Sequence, residues 1–462
     1  MAFKKFPEAT KLKQMIGPSF IILALGLGSG EIILWPYLVA NYGLGVAWGA
    51  VLGISFQFFI NMEIERYALV KGESVFVGIA RFFPAAIYWF IFSTFIGFGL
   101  PGIVAASAQV LAQVFGLTDF KWLAIGLLLA IGLILTLGRT IYSLMEKITK
   151  IIIFCGVPFI FILAVYFGSP ESWSALGSGL IGKGEGFWFL APGIAIATFL
   201  GAFAYSGAGG NLNLTQSIYV KEKGYGMGAY AQKISGLFAA RGRKEEIRLA
   251  GEEFQLNEKN ISAFKKWWRL VNLEHLLVFW LIGSISMVML MFLAYSTTYG
   301  LSGNAQGINF VISEGAQIAQ LTHPFLGLFF LVVVGIMLFQ TRLGIMDSTS
   351  RIMSENVAIA KLKKSGEAKI ALSKIYYLFV WAQIAFGVTL FLLDFYEPKT
   401  LIVLGAVINA FAMLVHVILV TILNRRALAK VFQPSLWRKI ILYIIIAFFA
   451  VFSVVVAKAQ LF

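Results

Sequence analysis

The residues whose side chains and backbone could bind a ligand lie in the middle of an apolar stretch, which they interrupt. Residues 24–40 read ALGLGSGEIILWPYLVA, and the run is broken by Gly28, Ser29, Gly30 and the acid Glu31. Because glycine costs about 1 kcal/mol relative to alanine inside a helix, this cluster predicts an unwound segment. The free carbonyl groups at such a break, together with a carboxylate, suit a cation or an amine, and the free N–H groups suit an anion.

A second apolar stretch is broken in the same way. Residues 199–220 read FLGAFAYSGAGGNLNLTQSIYV, in which small residues from Ser206 to Gly210 precede the polar Asn211. Each break alone could serve close helix packing in a membrane. Two interrupted helices at matching positions of two halves instead indicate the binding site of a transporter.

The rest of the chain is suited to a lipid environment. Of its 462 residues 59% are hydrophobic and 13% are charged, and the mean hydropathy is +0.85. Soluble proteins usually carry about 25% charged residues. A span needs ~20 apolar residues, so we predict an all-α, multi-pass membrane protein with eleven spans at roughly 15–40, 44–69, 84–115, 121–138, 141–168, 187–219, 271–297, 324–348, 373–394, 399–424 and 436–460.

Basic residues are distributed unevenly between the predicted loops. Of the 37 Lys and Arg residues, 33 fall in the set of alternate loops that contains the N-terminus, and the exceptions are Lys121, Lys183, Lys399 and Lys458. Because cytoplasmic loops collect basic residues, we predict a cell-membrane protein with a cytoplasmic N-terminus. The membrane also accounts for the net charge of +15, so no nucleic-acid partner is expected. The cytoplasmic loop 220–270 is expected to lie on anionic headgroups, or alternatively to bind a regulatory partner.

Four short stretches resemble the Nramp family of divalent-metal transporters. IGPSFIILALGLGSGEI at 16–32 is similar to the first helix of that family, where a GP-x-F opening precedes a DPGN break. Gln57 followed by LVKG at 69–72 is similar to its second helix, and GIVAASAQVLAQVFGL at 102–117 to its third. AGGNLNLTQS at 208–217 is similar to its sixth-helix MPHNLYLHS motif.

The resemblance implies a LeuT-like fold with two inverted five-helix repeats, discontinuous helices 1 and 6, and transport by alternating access. Here the repeats would occupy residues 1–168 and 169–424, and an additional helix would lie in 425–462. The same reasoning places the substrate between the two breaks. Its expected binding residues are Gly28, Ser29, Gly30, Glu31, Gln57, Tyr205, Ala208, Gly209 and Asn211, with Glu31 as the metal ligand.

The chain departs from the family at its metal-binding positions. Gly28 and Glu31 replace the aspartate and asparagine of DPGN, and Ala208, Gly209 and Gly210 replace Met-Pro-His. A thioether is a soft ligand that favours transition metals over hard ions, so its absence removes the reason to expect selectivity for manganese or iron. One carboxylate with backbone oxygens suits a partly hydrated hard ion such as Mg²⁺, which is the substrate that we predict.

An organic amine or amino acid is the alternative substrate. GSGEIILWP at 28–36 also resembles the Gly-Ser-Gly break of amino-acid transporters of this general fold, and a cation–π wall would then come from Tyr205, Trp35 or Phe203. No phosphate-binding loop or pair of catalytic carboxylates indicates an ATP-driven pump or an enzyme. We therefore expect no enzymatic activity, no cofactor and a monomeric protein.

Other ionisable residues are expected near the membrane surfaces. Glu65 and Glu274 fall at the ends of predicted spans, and Arg342 is placed at the solvated end of the eighth span rather than in a gate. Glu31 is then the one acid near the middle of a span, where insertion costs at least ~2.5–3.5 kcal/mol. The acidic positions of the family's proton route are occupied here by Ser93, Leu100 and Ile103, so family-type proton coupling is not expected.

Overall fold

Helices make up 79% of the residues that the structure describes. The computed structural model describes residues 3–12, 15, 17–26, 28–137, 141–233, 245–365 and 369–461. The α-helices of this part of the chain are α1 Pro18–Gly26, α2 Trp35–Tyr42, α3 Ala47–Lys71, α4 Val75–Phe82, α5 Ala86–Gly99, α6 Gly102–Phe115, α7 Lys121–Leu137, α8 Ile141–Phe167, α9 Pro170–Leu180, α10 Ile196–Ala204, α11 Thr215–Lys223, α12 Glu258–His275, α13 Ile282–Thr298, α14 Asn309–Leu321, α15 Pro324–Ser365, α16 Leu372–Leu392, α17 Pro398–Ala427 and α18 Leu436–Leu461.

Shorter elements join or bend these helices. Two π-helical segments, Ser29–Leu34 and Leu276–Leu281, lead into α2 and connect α12 to α13. The 3₁₀ turns are Leu44–Val46, Gly210–Leu214, Gly226–Tyr230 and Lys430–Phe432. Two antiparallel strand pairs, each of two-residue strands, complete the described elements: β1 Lys183–Gly184 with β2 Phe187–Trp188, and β3 Glu245–Glu246 with β4 Lys369–Ile370.

The helices confirm the predicted multi-pass, all-α membrane architecture. Among the described residues, eight helical stretches are long and apolar enough to cross a bilayer, with α1–α2, α5–α6 and α12–α13 each counted as one. The fourth predicted span is the shorter apolar helix α7, and the fifth is α8, which bends by 116° into α9. The sixth is divided between α10 and α11, so each of the eleven predicted spans has a helix or a broken helix.

Local sequence explains the two central breaks. The first span leaves α-helical geometry after Gly26 and resumes it at Trp35, across the π-helical segment that contains Glu31. In the sixth span, Gly207, Gly209 and Gly210 have φ angles of +112°, +66° and +51°. Residues with a Cβ rarely adopt this region, so the glycines permit the chain to leave α10 and turn into α11.

Charged and aromatic side chains pack together on one face of the helix bundle. On the face that carries the N-terminal segment, which we call the N-terminal face, Arg66 contacts Glu63 at 2.7 Å and stacks on the Trp268 ring at 3.8 Å. The indole of Trp267 donates to the Pro7 carbonyl at 3.0 Å. Trp267 is therefore buried against protein, whereas the sequence places its loop on headgroups. Of that predicted loop, residues 234–244 lie outside the described residues.

Candidate functional site

The two broken helices meet at the carboxylate of Glu31. Its Oε1 atom accepts a hydrogen bond of 2.7 Å from the Gly207 N–H in the sixth-span break, and its Oε2 atom lies 3.5 Å from the Gly28 nitrogen. Glu31 is 1% exposed. The acid therefore links the first break to the second through backbone donors, which are the groups expected to be free where a helix begins.

Close backbone packing holds the same junction together. A Cβ atom added to Gly30 would overlap the Tyr205 carbonyl, and one added to Gly26 would lie 2.8 Å from the Gly207 carbonyl carbon. A Cβ on Gly28 would overlap the Thr341 side chain of α15. The glycines of the first break are therefore needed for close approach to both the sixth and the eighth span.

Gln57 of α3 bridges the sixth-span break. Its amide nitrogen donates to the Ala204 carbonyl at the end of α10, and its amide oxygen accepts from the Gly209 N–H, both at 2.9 Å. One side chain thus satisfies a carbonyl and an N–H that the break would otherwise leave without partners. A substrate ligand role for Gln57 would require one of these bonds to open.

The remaining predicted side chains face the third and tenth spans. The Asn211 amide donates to Ser93 at 2.8 Å and to Thr94 at 3.0 Å, while its Oδ1 atom has no hydrogen-bond partner. The Tyr205 hydroxyl accepts from Asn409 of α17 at 2.8 Å. All nine predicted binding residues are buried, and Ser29 and Ala208 lie within the same two breaks.

Arg342 lies in the protein interior, so its predicted place at the solvated end of the eighth span is wrong. It is 1% exposed, and its guanidinium donates to the carbonyls of Phe98 and Gly99 where the third span is interrupted between α5 and α6. A small cavity is bounded by Arg342, Tyr205 and the ends of α5, α6 and α17. The Nε atom of Arg342 has no partner.

The reason for this error is the length of α15. It has 42 residues, about 63 Å at 1.5 Å per residue, whereas a bilayer core is ~30 Å thick. The end of its apolar run therefore does not mark the membrane surface. The sequence does contain a signal for this position. Arg342 directly follows Gln340 and Thr341, and a cation next to such polar residues at the end of a long apolar run can lie inside the bundle.

The donor set around Glu31 does not resemble a metal site built from several acidic or imidazole side chains. Among the residues that the structure describes, no group of three His, Cys, Asp or Glu residues is placed to hold a metal ion. The Glu31 oxygens instead face backbone N–H donors. A metal bound at this position would need the carbonyl groups of the breaks as its other ligands.

Two of the aromatic residues considered for an organic cation have other partners. The Trp35 indole donates to the Ser206 hydroxyl at 2.8 Å. The Phe203 ring packs between Phe56 and Phe448, at centroid distances of 5.5 Å and 4.4 Å. Of the three proposed wall residues, Tyr205 is the one that borders the small cavity beside Arg342.

Comparison with known proteins supports the fold. No family model matches the chain, and no curated protein matches it. A solved structure of a manganese transporter variant from Eremococcus coleocola superimposes with a TM-score of 0.71 at 13% sequence identity, covering 98% of this chain and 89% of that chain. The same transporter in complex with an aromatic bis-isothiourea compound gives a TM-score of 0.69 at 13% identity, with 99% and 89% covered.

The protein therefore has a LeuT-like fold, with inverted five-helix repeats and discontinuous first and sixth helices, as the sequence predicts. At 13% identity the similarity shows the fold alone. The substrate has to be inferred from the chemistry of the site.

Proposed function

We propose that this protein is a secondary transporter that moves a small solute by alternating access, with the solute bound where the first and sixth spans break. The observation that carries the proposal is the junction itself. Two interrupted helices of opposite repeats meet through Glu31 and the Gly207 N–H, at 2.7 Å, inside a fold used for transport. The predicted repeats, 1–168 and 169–424, would then be the bodies that move against each other.

We further propose that the substrate is a small organic solute that carries a carboxylate, such as an amino acid. Arg342 supports this, because it is a buried cation that pairs with no carboxylate among the described residues and has a free Nε donor. The cavity beside it, of about 10 Å³, holds no more than a water, so an amino acid would bind there only in a more open conformation. Guanidinium groups match carboxylate geometry well. The acid of Glu31, a short distance along the junction from Tyr205, would suit the amine of the same molecule.

A hard divalent cation such as Mg²⁺ is the second candidate. Glu31 supports it, since this buried acid pairs with no basic side chain in the described part of the chain. The buried guanidinium of Arg342 weighs against it, because a like charge in a low-dielectric interior is repulsive. The structurally similar Eremococcus coleocola protein is a manganese transporter, but the thioether that favours transition metals over hard ions is absent from the two breaks of this chain.

Thermal stability of the purified protein tests the two substrates directly. The ligands are amino acids, simple amines, Mg²⁺, Mn²⁺ and Ca²⁺, and a ligand at about a hundred times its dissociation constant stabilises by ~2.7 kcal/mol. An amino-acid shift that is lost in Arg342→Gln and kept in the control Arg425→Gln, an exposed arginine, would support the first candidate. A divalent-ion shift lost in Glu31→Gln would support the second. No shift with any ligand would contradict both.

A further inference from the structure

Helix α12 has one exposed face that continues toward the membrane. Its exposed residues between positions 265 and 277 recur at spacings of three and four, so they form one stripe along the helix axis. They are Lys265, Lys266 and Arg269, followed by Leu273, Leu276 and Leu277. The helix runs without interruption through the π-helical segment into α13, as one helical stretch over Glu258–Thr298. The stripe is therefore basic at one end and apolar where it approaches the span.

The change from basic to apolar residues marks the membrane surface. Leu273 begins the apolar part of the stripe, and Lys265, Lys266 and Arg269 precede it by four to eight residues, about 6–12 Å at 1.5 Å per residue. The headgroup layer on each side of a bilayer is ~5–8 Å thick. Long basic side chains can also extend along the helix to place their charge at this layer. The three cations therefore lie at the level of lipid phosphate groups.

A neighbouring tryptophan gives the same level independently. Trp437, at the start of α18, is exposed, and tryptophan is enriched where a protein crosses the membrane–water interface. The adjacent Arg438 connects α18 to α12, because its guanidinium lies 5.0 Å from the Trp268 ring and donates to the Asn272 side chain at 2.5 Å. Two helices thus place the interface at the same height on the N-terminal face.

The cations of the stripe are available to an external anion. Among the described residues, no salt bridge includes Lys265, Lys266 or Arg269. The acids of α12 are Glu258, about 10 Å from Lys265 along the axis, and Glu274, which is buried and accepts from a hydroxyl of α1. Three positive charges at headgroup level are complementary to anionic lipid, which attracts such clusters.

The opposite face of α12 holds the N-terminal segment. We call this segment the strap; its described residues are 3–12 and 15. The Phe6 N–H donates to Asn260 Oδ1 at 3.1 Å, and the Trp267 indole donates to the Pro7 carbonyl at 3.0 Å. The buried Phe6 ring packs on Phe264 at a centroid distance of 6.2 Å. The strap therefore lies along the face of α12 that points away from the stripe.

The strap leads directly to the first span. The Met15 carbonyl accepts from the Tyr225 hydroxyl, and α1 begins three residues later. Within α1 the Ser19 hydroxyl donates to Glu274 of α12. Helix α12 thus contacts both the strap and the half of the first span that ends at the central break. A change in how α12 is held at the membrane is placed to act on both.

We propose that Lys265, Lys266 and Arg269 bind the phosphate groups of anionic phospholipids, and that this contact fixes α12 so that the strap stays docked on its other face. The inference goes beyond the transport proposal and does not depend on it. The sequence places the whole loop on headgroups. Instead, one face of α12 meets lipid and the opposite face meets the strap.

Thermal stability in detergent with added lipid tests the surface. We expect anionic phosphatidylglycerol to raise the melting temperature by several degrees more than zwitterionic phosphatidylcholine does, and 1 M salt to reduce this difference. The triple variant Lys265→Gln, Lys266→Gln, Arg269→Gln should lose the difference. Its matched control, Lys374→Gln, Arg425→Gln, Lys430→Gln, changes three exposed cations of the N-terminal face on other segments and should keep it.

Three results would overturn the lipid surface. One is an equal effect of the two lipids on the wild type, and another is an undiminished difference in the triple variant. The third is a full shift with glycerol 3-phosphate alone, which would show a site for a soluble phosphate compound. Arg269→Gln alone should lose part of the difference, so the test remains available if the triple variant is unstable.

Hydrogen exchange in nanodiscs tests the connection to the strap. The N–H groups of Lys4 and Phe6 donate to Glu253 and Asn260, so they are protected while the strap is docked. We expect the peptide that contains them to exchange several-fold more slowly in phosphatidylglycerol than in phosphatidylcholine, and the triple variant to show no such difference. Phe6→Ala should exchange rapidly in both lipids. Equal wild-type exchange in the two lipids would overturn the connection. Neither experiment uses a solute, so both are independent of the transport proposal.

Discussion

At the scale of single residues, Gly30 is the position of the junction with the least room for a side chain. A methyl group there would overlap the Tyr205 carbonyl, so we expect Gly30→Ala to separate the first and sixth spans, abolish uptake and lower the melting temperature. Gly126→Ala in α7 is a matched control, because a Cβ there meets nothing within 4 Å. The control should be neutral or stabilise by up to ~1 kcal/mol. Equal uptake by both variants would contradict the close approach of the two breaks.

Gln57 allows a second test at this scale. Gln57→Leu would leave the Ala204 carbonyl and the Gly209 N–H buried without partners, and each such group costs about 1–3 kcal/mol. We expect a clear loss of thermal stability in detergent. Gln113→Leu, at an exposed position of α6, should change stability by less than ~0.5 kcal/mol. A Gln57→Leu protein as stable as this control would mean that water or another group can replace the amide.

Residue identity in the breaks could be predicted from sequence, but residue partners could not. The glycines indicate an interruption because they have low helix propensity. Glu31 indicates one because an ionisable side chain is costly in lipid. That Glu31 accepts from Gly207, 176 residues away, depends on how two spans pack, which local composition does not encode. The same limit concealed the burial of Arg342, Glu65 and Glu274, which the sequence places at span ends and which neighbouring helices cover, so Glu31 is not the one acid enclosed by the spans.

At the scale of elements, a buried ion pair within the long helix α15 is hydrogen-bonded to α16 on the N-terminal side of the bundle. Arg351 contacts Asp347 at 3.0 Å, both side chains are at most 2% exposed, and the Tyr376 hydroxyl donates to Asp347 at 2.8 Å. This cluster therefore joins the eighth and ninth spans.

Removing one member of this cluster should be costly. Asp347→Asn leaves the buried guanidinium without its carboxylate, which we expect to lower the free energy of unfolding by about 3 kcal/mol. Asp394→Asn breaks a surface pair with Lys121 on the opposite face and should cost at most ~1 kcal/mol. Melting temperatures of the two variants provide the comparison. Similar shifts would show that the Asp347 pair is hydrated in solution.

Helix boundaries show where sequence reasoning about elements failed. The apolar run near 324–348 predicts a span, but the helix continues to Ser365. The polar residues at 348–356 are buried among neighbouring helices that include α4 and α16, whereas Lys361, Lys363 and Lys364 at its end are exposed. The third span was predicted as one helix, and it is divided at Leu100 and Pro101. The α5 carbonyls freed by that division are those to which Arg342 donates.

At the scale of the whole molecule, the multi-pass helical class was accessible from hydrophobicity, and the LeuT-like arrangement of the helices from the family resemblance. Continuous apolar runs must become helices in lipid, where every backbone group needs an internal partner. The count of eleven spans and the matched breaks follow from this requirement. The orientation in the membrane stays a prediction from the 33 basic residues on one side. The domain boundaries stay predictions as well.

Counterflow by the purified protein in liposomes is the measurement that tests the central claim most directly. Vesicles preloaded with an unlabelled ligand from the stability panel are mixed with the labelled ligand outside. A carrier with one alternating site exchanges the two, so we expect labelled uptake that overshoots equilibrium, saturates with concentration and is absent in Gly30→Ala. Flux that never saturates and shows no overshoot would contradict alternating access and indicate a channel.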